Sequence, residues 1–568
     1  MPDQSLFRHA ALALALILPA GAMAQDPGAY LAAKIAAEEG DHSTAAAWFD
    51  RALKADAGDA RLLESTVIAH IASGKLDRAG AVAQTMGSLG LNSPTMYIAL
   101  VDQLVKAGDW AGVIALQPDL DAVGSVMKQL VDAWAELGRG NADAAMAGFD
   151  RVAQAQGLQA FGLYHKALAL ALAGDLEGAD AILADPDHAV ANTRRGILAR
   201  VQVLSQLDRA DEARVVLEDS FAESDPARRM LVAALENGET LDWDIARNAQ
   251  DGIAEVLYTL GSALAAEAGD TFTLIYARVA TDLRPDHAEA QILVGDLLAG
   301  QGQTADALAA YDAVPDTDPL HEAAQISRAD ALFADDRGDE AVATLRALAE
   351  ARPDALGVKV ALADALRRTG DYTGSIAIYD EALGMIGSPS AQYWPVLFSR
   401  GMSHERLGQN EEAEADMRAA LDLAPDQPEV LNYLGYSLVE QGRKLDEALD
   451  MIERAVAAHP DSGAIQDSLA WALFRLGRFE EAVEPMETAV LLEPADPILT
   501  DHLADIYWAV GRREEARFQW RRALIFNPEP DEVERIERKL EQGLDSVLIE
   551  EGHDDLAEKI AGQADDAR

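Results

Sequence analysis

Asp501 and Asp505 stand four residues apart, so on a helix they share one face. Paired carboxylates are a residue type that acid–base chemistry uses. This chain, however, carries 97 acidic side chains against 47 basic ones, and a solvated helix face accounts for such a pair without any chemistry. The 11 histidines are scattered. His404, His459, His502 and His553 lie in the C-terminal part without the spacing a metal site needs, and read as surface or packing histidines. Asp316-Thr317-Asp318 lies between prolines and reads as a turn. The metalloprotease, P-loop, nucleophile-elbow and dinucleotide-binding motifs are all missing. There is no cysteine, hence no disulfide, thiolate metal site or thiol nucleophile. These residues specify no catalytic, cofactor-binding or metal-binding centre, and the chain reads as a protein that binds rather than an enzyme.

The elements around them must be helices. Alanine dominates, hydrophobic residues make up 49% and aromatics only 6%. The formal net charge of -50 repels phosphate backbones and anionic lipid headgroups, so nucleic acid and direct membrane insertion are disfavoured. Acidity speaks first to solubility; its sharper meaning would be the steering of a basic partner.

Residues 1–24 have the order of a secretory signal peptide. Arg8 and His9 precede an apolar run from Ala10 to Leu18, Pro19 and Gly21 break it, and Ala22-Met23-Ala24 offers a small-x-small cleavage site before Gln25. The run is too short for a permanent membrane anchor. Export to the periplasm of a Gram-negative bacterium is the expectation.

A repeat organises the rest. Gly261, Gly295, Ala329 and Ala363 follow one another at 34 residues; Gly401, Gly435, Ala470 and Ala504 continue the series at 34 to 38, with Pro389 in the one larger insertion. Twelve residues beyond these anchors lie Ala307, Ala341, Ala413, Ala482 and Ala516, with Ala448 one later. Sixteen beyond lie Tyr311, Tyr379, Met486 and Trp520, and twenty-four beyond lie Pro285, Pro319, Pro353, Pro425, Pro494 and Pro528. Small residues let two helix axes approach, the bulky residue fills the gap between hairpins, and proline stops the second helix. Glycines seven beyond the anchor (Gly302, Gly370, Gly408, Gly442, Gly477, Gly511) suit the left-handed end of the first helix. Asp286, Asp354, Asp426 and Asp461, just after the prolines, are expected to cap the next helix. The N-terminal half keeps the same phase more weakly, through Ala33, Val67, Val101, Ala133, Ala167 and Val201, and lacks most of the prolines.

This pattern resembles the tetratricopeptide repeat, with its small residues at positions 8, 20 and 27, aromatic at 24 and proline at 32. The resemblance implies an all-α fold: a right-handed α-α superhelix, or solenoid, of antiparallel helix hairpins. The segments would be a signal peptide (1–24), divergent repeats (25–221), a degenerate repeat or joint (222–253), a C-terminal array (254–530), a capping helix (531–545) and an acidic tail (546–568). The block around Asp467-Ser468-Leu469-Ala470-Trp471 looks like that of bacterial exported tetratricopeptide proteins of unassigned activity.

In that family the first helix of each hairpin lines a concave groove. Carried over residue by residue, the lining would include Asn432, Tyr436 and Glu440, then Asp467, Trp471, Phe474 and Arg475, then Asp501, Asp505 and Trp508. Aromatics and arginine dominate interface energetics, although Trp471 and Trp508 could equally pack between hairpins. A lysine cluster that would grip an acidic tail is missing, so a basic or amphipathic protein or peptide is the expected partner. The function implied is that of a periplasmic scaffold or adaptor for envelope proteins; the other reading is a glycan- or peptidoglycan-binding module of an export or assembly machine.

Overall fold

The structure is a computed structural model that describes residues 26–118, 122–264, 269–387 and 390–566. The signal-peptide segment and Pro389 lie outside the described residues. Among the described residues the elements are all helical, short 3-10 turns included, and none is long and apolar enough to cross a membrane. The chain divides into two compact units, residues 1–361 and 362–568.

Within each unit, consecutive helices pair as hairpins, and the repeat positions do what their chemistry requires. Gly435 sits so close to the second helix of its hairpin that a Cβ there would lie 2.7 Å from Ile452 and 3.0 Å from the Ala448 carbonyl oxygen. At Gly295 the same atom would lie 2.4 Å from the Tyr311 ring. Ala307, Ala341, Ala482 and Ala516 are fully buried, as are Tyr311, Tyr379, Met486 and Trp520. The slot seven beyond the anchor is left-handed whether or not glycine fills it. Asp208 and Asp336, seven beyond Val201 and Ala329, both have φ 57°, beside Gly302 at 72° and Gly370 at 84°. The hairpin turn therefore sets that conformation, and aspartate is among the few residues that tolerate it.

The helix caps fall one residue later than the sequence suggests. The side chains of His287 and Ser462, not of Asp286 and Asp461, accept the backbone N–H of Ala290 and Ile465. Asp286 and Asp426 turn outward to Arg247 and Arg454.

In the first unit, the first helices of the early hairpins are α1 (Ala60–Ala72), α2 (Pro94–Lys106), α3 (Ala122–Gly138), α4 (Gln159–Ala173) and α5 (Arg194–Gln206). A later hairpin of the same unit, α6 (Ala249–Leu264) and α7 (Asp270–Leu283), packs against α1 to α4. Ile253, Ala254 and Val256 of α6 are fully buried in one cluster with Trp134 of α3 and Ala167 of α4. Gly252 lets α6 sit on the Trp134 ring, since a Cβ there would lie 2.3 Å from it. Residues 222–253, expected to be a joint, form the helix Pro226–Glu236 followed by irregular backbone, pinned where the Trp243 indole donates to the Ala246 carbonyl at 2.8 Å.

In the second unit, the first helices are α8 (Trp394–Arg406), α9 (Pro428–Glu440), α10 (Gly463–Leu476) and α11 (Pro497–Ala509). Three more helices follow: α12 (Pro530–Gln542), α13 (Leu544–Glu550) and α14 (Asp554–Asp566). The stretch from Ser546 onward, read as an acidic tail, is thus largely helical. Leu544, Leu548, Leu556 and Ile560 are buried in the same core as Trp471 and Trp508.

Candidate functional site

The residues expected to line a groove lie on α9, α10 and α11, and the structure divides them. Asp467, Trp471, Asp501, Asp505 and Trp508 are inside the protein. Trp471 is 7% exposed. Its ring stacks between Phe474 (centroids 4.9 Å apart) and His502 (4.1 Å), and its indole N–H donates to Glu440 at 2.5 Å. Trp508 is 4% exposed; it donates to Asp545 Oδ2 at 3.1 Å, and the Arg513 guanidinium lies 4.1 Å from its ring centroid. Both tryptophans pack between hairpins, as large rings do when neighbours can cover them.

The carboxylates beside them already have cations. His502 Nδ1 is 2.7 Å from Asp467 Oδ1. Burial works against a charge on His502, but Asp467, and beyond it Asp501 and Asp505, outweigh burial and raise its pKa above the ordinary histidine value. Lys539 of α12 is fully buried and donates to Asp501 at 2.7 and 2.9 Å and to Asp505 at 2.8 Å. Arg535 adds a second positive charge 3.6 Å from Asp501, and the Trp520 indole donates to Asp505 at 2.9 Å. The field that would have drawn a basic partner to this end of the face is therefore neutralised from within. The signal was in the register: Lys539 stands thirty-five residues beyond Ala504, so α12 takes the place of one more first helix, and its lysine does what a bound basic side chain would have done.

The other end is open. Tyr436, Tyr433, Ser437, Glu440, Glu405 and Arg406 line a cleft of about 380 Å³ between α8 and α9. Tyr433 donates to Glu405 at 3.1 Å, and burial pushes its phenol up to about 12. Burial, with Glu440 and Asp467 nearby, raises the Tyr436 phenol further still. Asn432, one turn before Tyr436, has a buried side-chain carbonyl oxygen without a donor. Arg475 lies 3.8 Å from Glu440. Asn432 and Tyr436 thus remain partly exposed, while the Arg475 side chain is 15% exposed and supplies donors only.

A cluster in the first unit escaped the sequence reading, because its members come from four separate segments. Glu255 of α6, fully buried, accepts Arg195 of α5 at 2.6 Å through both oxygens and the Tyr164 hydroxyl of α4 at 2.8 Å. His287 Nε2 lies 3.1 Å from it, and Glu289 takes the remaining Arg195 nitrogen at 2.7 Å. Burial alone would push the Glu255 carboxyl up; Arg195 and His287 outweigh it and hold it well below the ordinary glutamate range. Every charge here is matched, so the cluster ties α6 to α4 and α5. A cleft of about 320 Å³ lies beside it, lined by Phe161, Tyr164, Val190 and Tyr258 together with the hydroxyl side chains Thr193, Thr259 and Ser262. Among the described residues no group of histidines and carboxylates could hold a metal ion.

Comparison with known proteins agrees with this architecture. The tetratricopeptide-repeat family model matches residues 274–322, 326–391, 398–462 and 434–497. A TPR repeat-containing protein of Pseudomonas aeruginosa is 34% identical over 83 residues, 15% of this chain and 14% of that one. Only a small part of that relative is therefore spanned. Among solved structures, the Cut9–Hcn1 hetero-tetramer of the APC/C matches at a TM-score of 0.38 and 14% identity, covering 92% of this chain and 97% of that one. A tetratricopeptide repeat protein from Parabacteroides merdae matches at 0.34 and 16%, covering 43% and 92%. MamA of AMB-1 matches at 0.26 and 23%, covering 30% and 97%. Hairpins in register, the small-residue contacts at Gly295 and Gly435, and the family match lead to one conclusion: the stretch within residues 274–497 is built of tetratricopeptide repeats.

Proposed function

We propose that this protein is a non-catalytic scaffold that holds a segment of an envelope protein against α8 and α9, in the compartment outside the cytoplasmic membrane. The observation that carries this reading is the open cleft at Tyr433, Tyr436 and Glu440. Tyr436 and Glu440 are the part of the expected lining that faces this cleft, and Tyr433, outside that expectation, joins them there. Two phenols give it rigid contact area. The carboxylates of Glu405 and Glu440 give it acceptors, which suits a segment rich in N–H donors, a basic one included. Release from the cytoplasm is supported by the order of charged, apolar and small residues in residues 1–24.

Two experiments test this. A photoreactive side chain at position 436 should crosslink a discrete envelope protein, and Tyr433→Ala with Glu440→Arg should abolish that crosslink while leaving the helical circular dichroism intact. An undiminished crosslink in the double variant removes the cleft from the site. Residues 1–24 fused to a reporter active only outside the cytoplasm should give a signal; a silent fusion refutes export.

A further inference from the structure

The last helices of the second unit are attached in two different ways. α12 is bolted down: Lys539 is sealed between Asp501 and Asp505, and Arg535 and Arg538 pair with Glu551 and Glu550 at 3.0 and 3.1 Å. α14 has no such hold. Among residues 554–562, whose side chains are described, none makes a hydrogen bond or an ion pair. It is held by Leu556, Ala557 and Ile560, which share one helix face and are 4%, 4% and 0% exposed. It leaves α13 through a left-handed turn at Gly552 (φ 81°) and packs chiefly on α13, with a smaller contact on α11. The aliphatic stem of Lys559 reaches Gly477 at the end of α10, where an added Cβ would lie 3.0 Å from Lys559 Cδ. So α14, besides packing on α13, meets α11 and the C-terminal end of α10, two of the elements expected to line the groove, and it does so with its apolar face, as an amphipathic helix meets a receiving surface.

We propose that α14 is a built-in occupant of a helix-receiving surface on α10 and α11, which it vacates for an amphipathic helix of a partner carrying the same Leu-Ala-x-x-Ile face. The proposal deepens the scaffold reading and rests on it: the cleft at α8 and α9 takes one part of the partner, and the surface under α14 takes the other. The occupant's composition also fixes the kind of partner helix. Asp554, Asp555 and Glu558 put acidic groups on its outer side, so the seat itself selects the apolar face and not a basic charge. α14 is distinguishable from core because its attachment is apolar contact over three adjacent side chains, whereas α11 beneath it is buried on nearly every residue.

The experiment uses the full-length protein. Hydrogen exchange of the wild type should show α14 amides exchanging on the order of 100-fold faster than those of α11, through opening that leaves α10 to α12 protected. Leu556→Asp with Ile560→Asp should release α14 while the exchange of α10 and α11 stays slow. A synthetic peptide of residues 552–568 should then bind the released variant saturably and the wild type far more weakly. Equal protection of α14 and α11 in the wild type would make α14 part of the core and overturn the proposal, even if the double variant fails to fold. An intact released variant that does not bind the peptide overturns it too. A released variant that dimerises shows that the seat takes a second copy's helix, and the partner form of the proposal falls. Because no outside partner enters these measurements, they stand or fall separately from the crosslinking test at Tyr436.

Discussion

Both units present the first helices of their hairpins to something, and both supply part of the covering from their own chain. The first unit does so with a hairpin from the middle of the array. α6 and α7 bury whole faces against α1 to α4, and Glu255 locks them to Arg195, His287 and Tyr164. The second unit does so with its end. α12 is locked by Lys539, α14 is held by three apolar side chains, and the cleft at Tyr436 stays uncovered. The lesson is that a repeat's inner helices are a binding surface by chemistry alone. Whether a partner or the protein itself uses that surface depends on what the rest of the chain folds back to offer.

The sharpest way to break this comparison is to remove the two ionic locks. Lys539→Ala leaves Asp501 and Asp505 buried with only Arg535 nearby, and should cost the second unit about 3–5 kcal/mol in urea unfolding followed by tryptophan fluorescence. Lys539→Met, which keeps the volume, should cost no less, because the two carboxylates rather than the lysine stem set the penalty. Glu255→Ala should cost the first unit less, about 2–3 kcal/mol, because Arg195 keeps Glu289 while the buried Tyr164 hydroxyl loses its acceptor. If either unit tolerates its change within about 0.5 kcal/mol, that lock is decorative.

A smaller effect tests the seat of α6. Gly252→Ala places a methyl group 2.3 Å from the Trp134 ring and should destabilise the first unit by about 1–3 kcal/mol while leaving the second unit's melting unchanged. Equal losses in both units would show that they unfold as one.

The same seam carries a pH dependence. Asp102 of α2 is fully buried with neither carboxylate oxygen hydrogen-bonded, and it faces Asp282 of α7 and Asp77, with Lys106 3.8 Å away. Burial first, and Asp282 second, raise its pKa to about 7. The folded state therefore holds this proton more tightly than the unfolded chain does. The stability it contributes is full below the ordinary aspartate pKa and is lost as pH rises toward 7, by at most about 1.4 kcal/mol per pH unit. Urea midpoints of the first unit should fall between pH 5 and pH 7, and Asp102→Asn should flatten that slope. A slope unchanged in the variant would assign it to other groups. In the second unit His502, with its raised pKa, works in the same direction: its contribution is present at acidic pH and is lost as pH rises past its folded value.

The smallest effects belong to the turns. Asp336→Gly should stabilise by roughly 0.5 kcal/mol, since glycine removes the cost of a left-handed residue but adds unfolded-state entropy. Gly370→Asp at the same slot should destabilise by about that much. A loss of stability in Asp336→Gly together with a gain in Gly370→Asp would mean that the side chain, not the turn, sets the conformation.

How far the sequence could be read depended on the range of each interaction. Gly295 with Tyr311, and Gly435 with Ala448 and Ile452, lie within one hairpin, so a period of 34 residues was enough to place them. The glycines at Gly40, Gly74 and Gly108 in the weaker N-terminal half proved equally left-handed, at 76°, 72° and 68°. The site was harder to read. The alternation of aromatics and carboxylates on α9 to α11 was plain in the sequence, but Lys539 comes from beyond the last proline-marked repeat and claims Asp501 and Asp505 from more than thirty residues away. The Glu255 cluster gathers residues 164, 195, 255, 287 and 289, a set with no local signature.

The sequence by itself determined the helical hairpins, their register and the small residues at the close contacts, because these follow from backbone geometry and side-chain volume repeated over short distances. Only the tertiary structure decided which inner surfaces are spent on the protein itself and which stay open. That choice is made by contacts between segments tens to hundreds of residues apart, such as Lys106 with Asp282 or Lys539 with Asp505, and no periodicity encodes it.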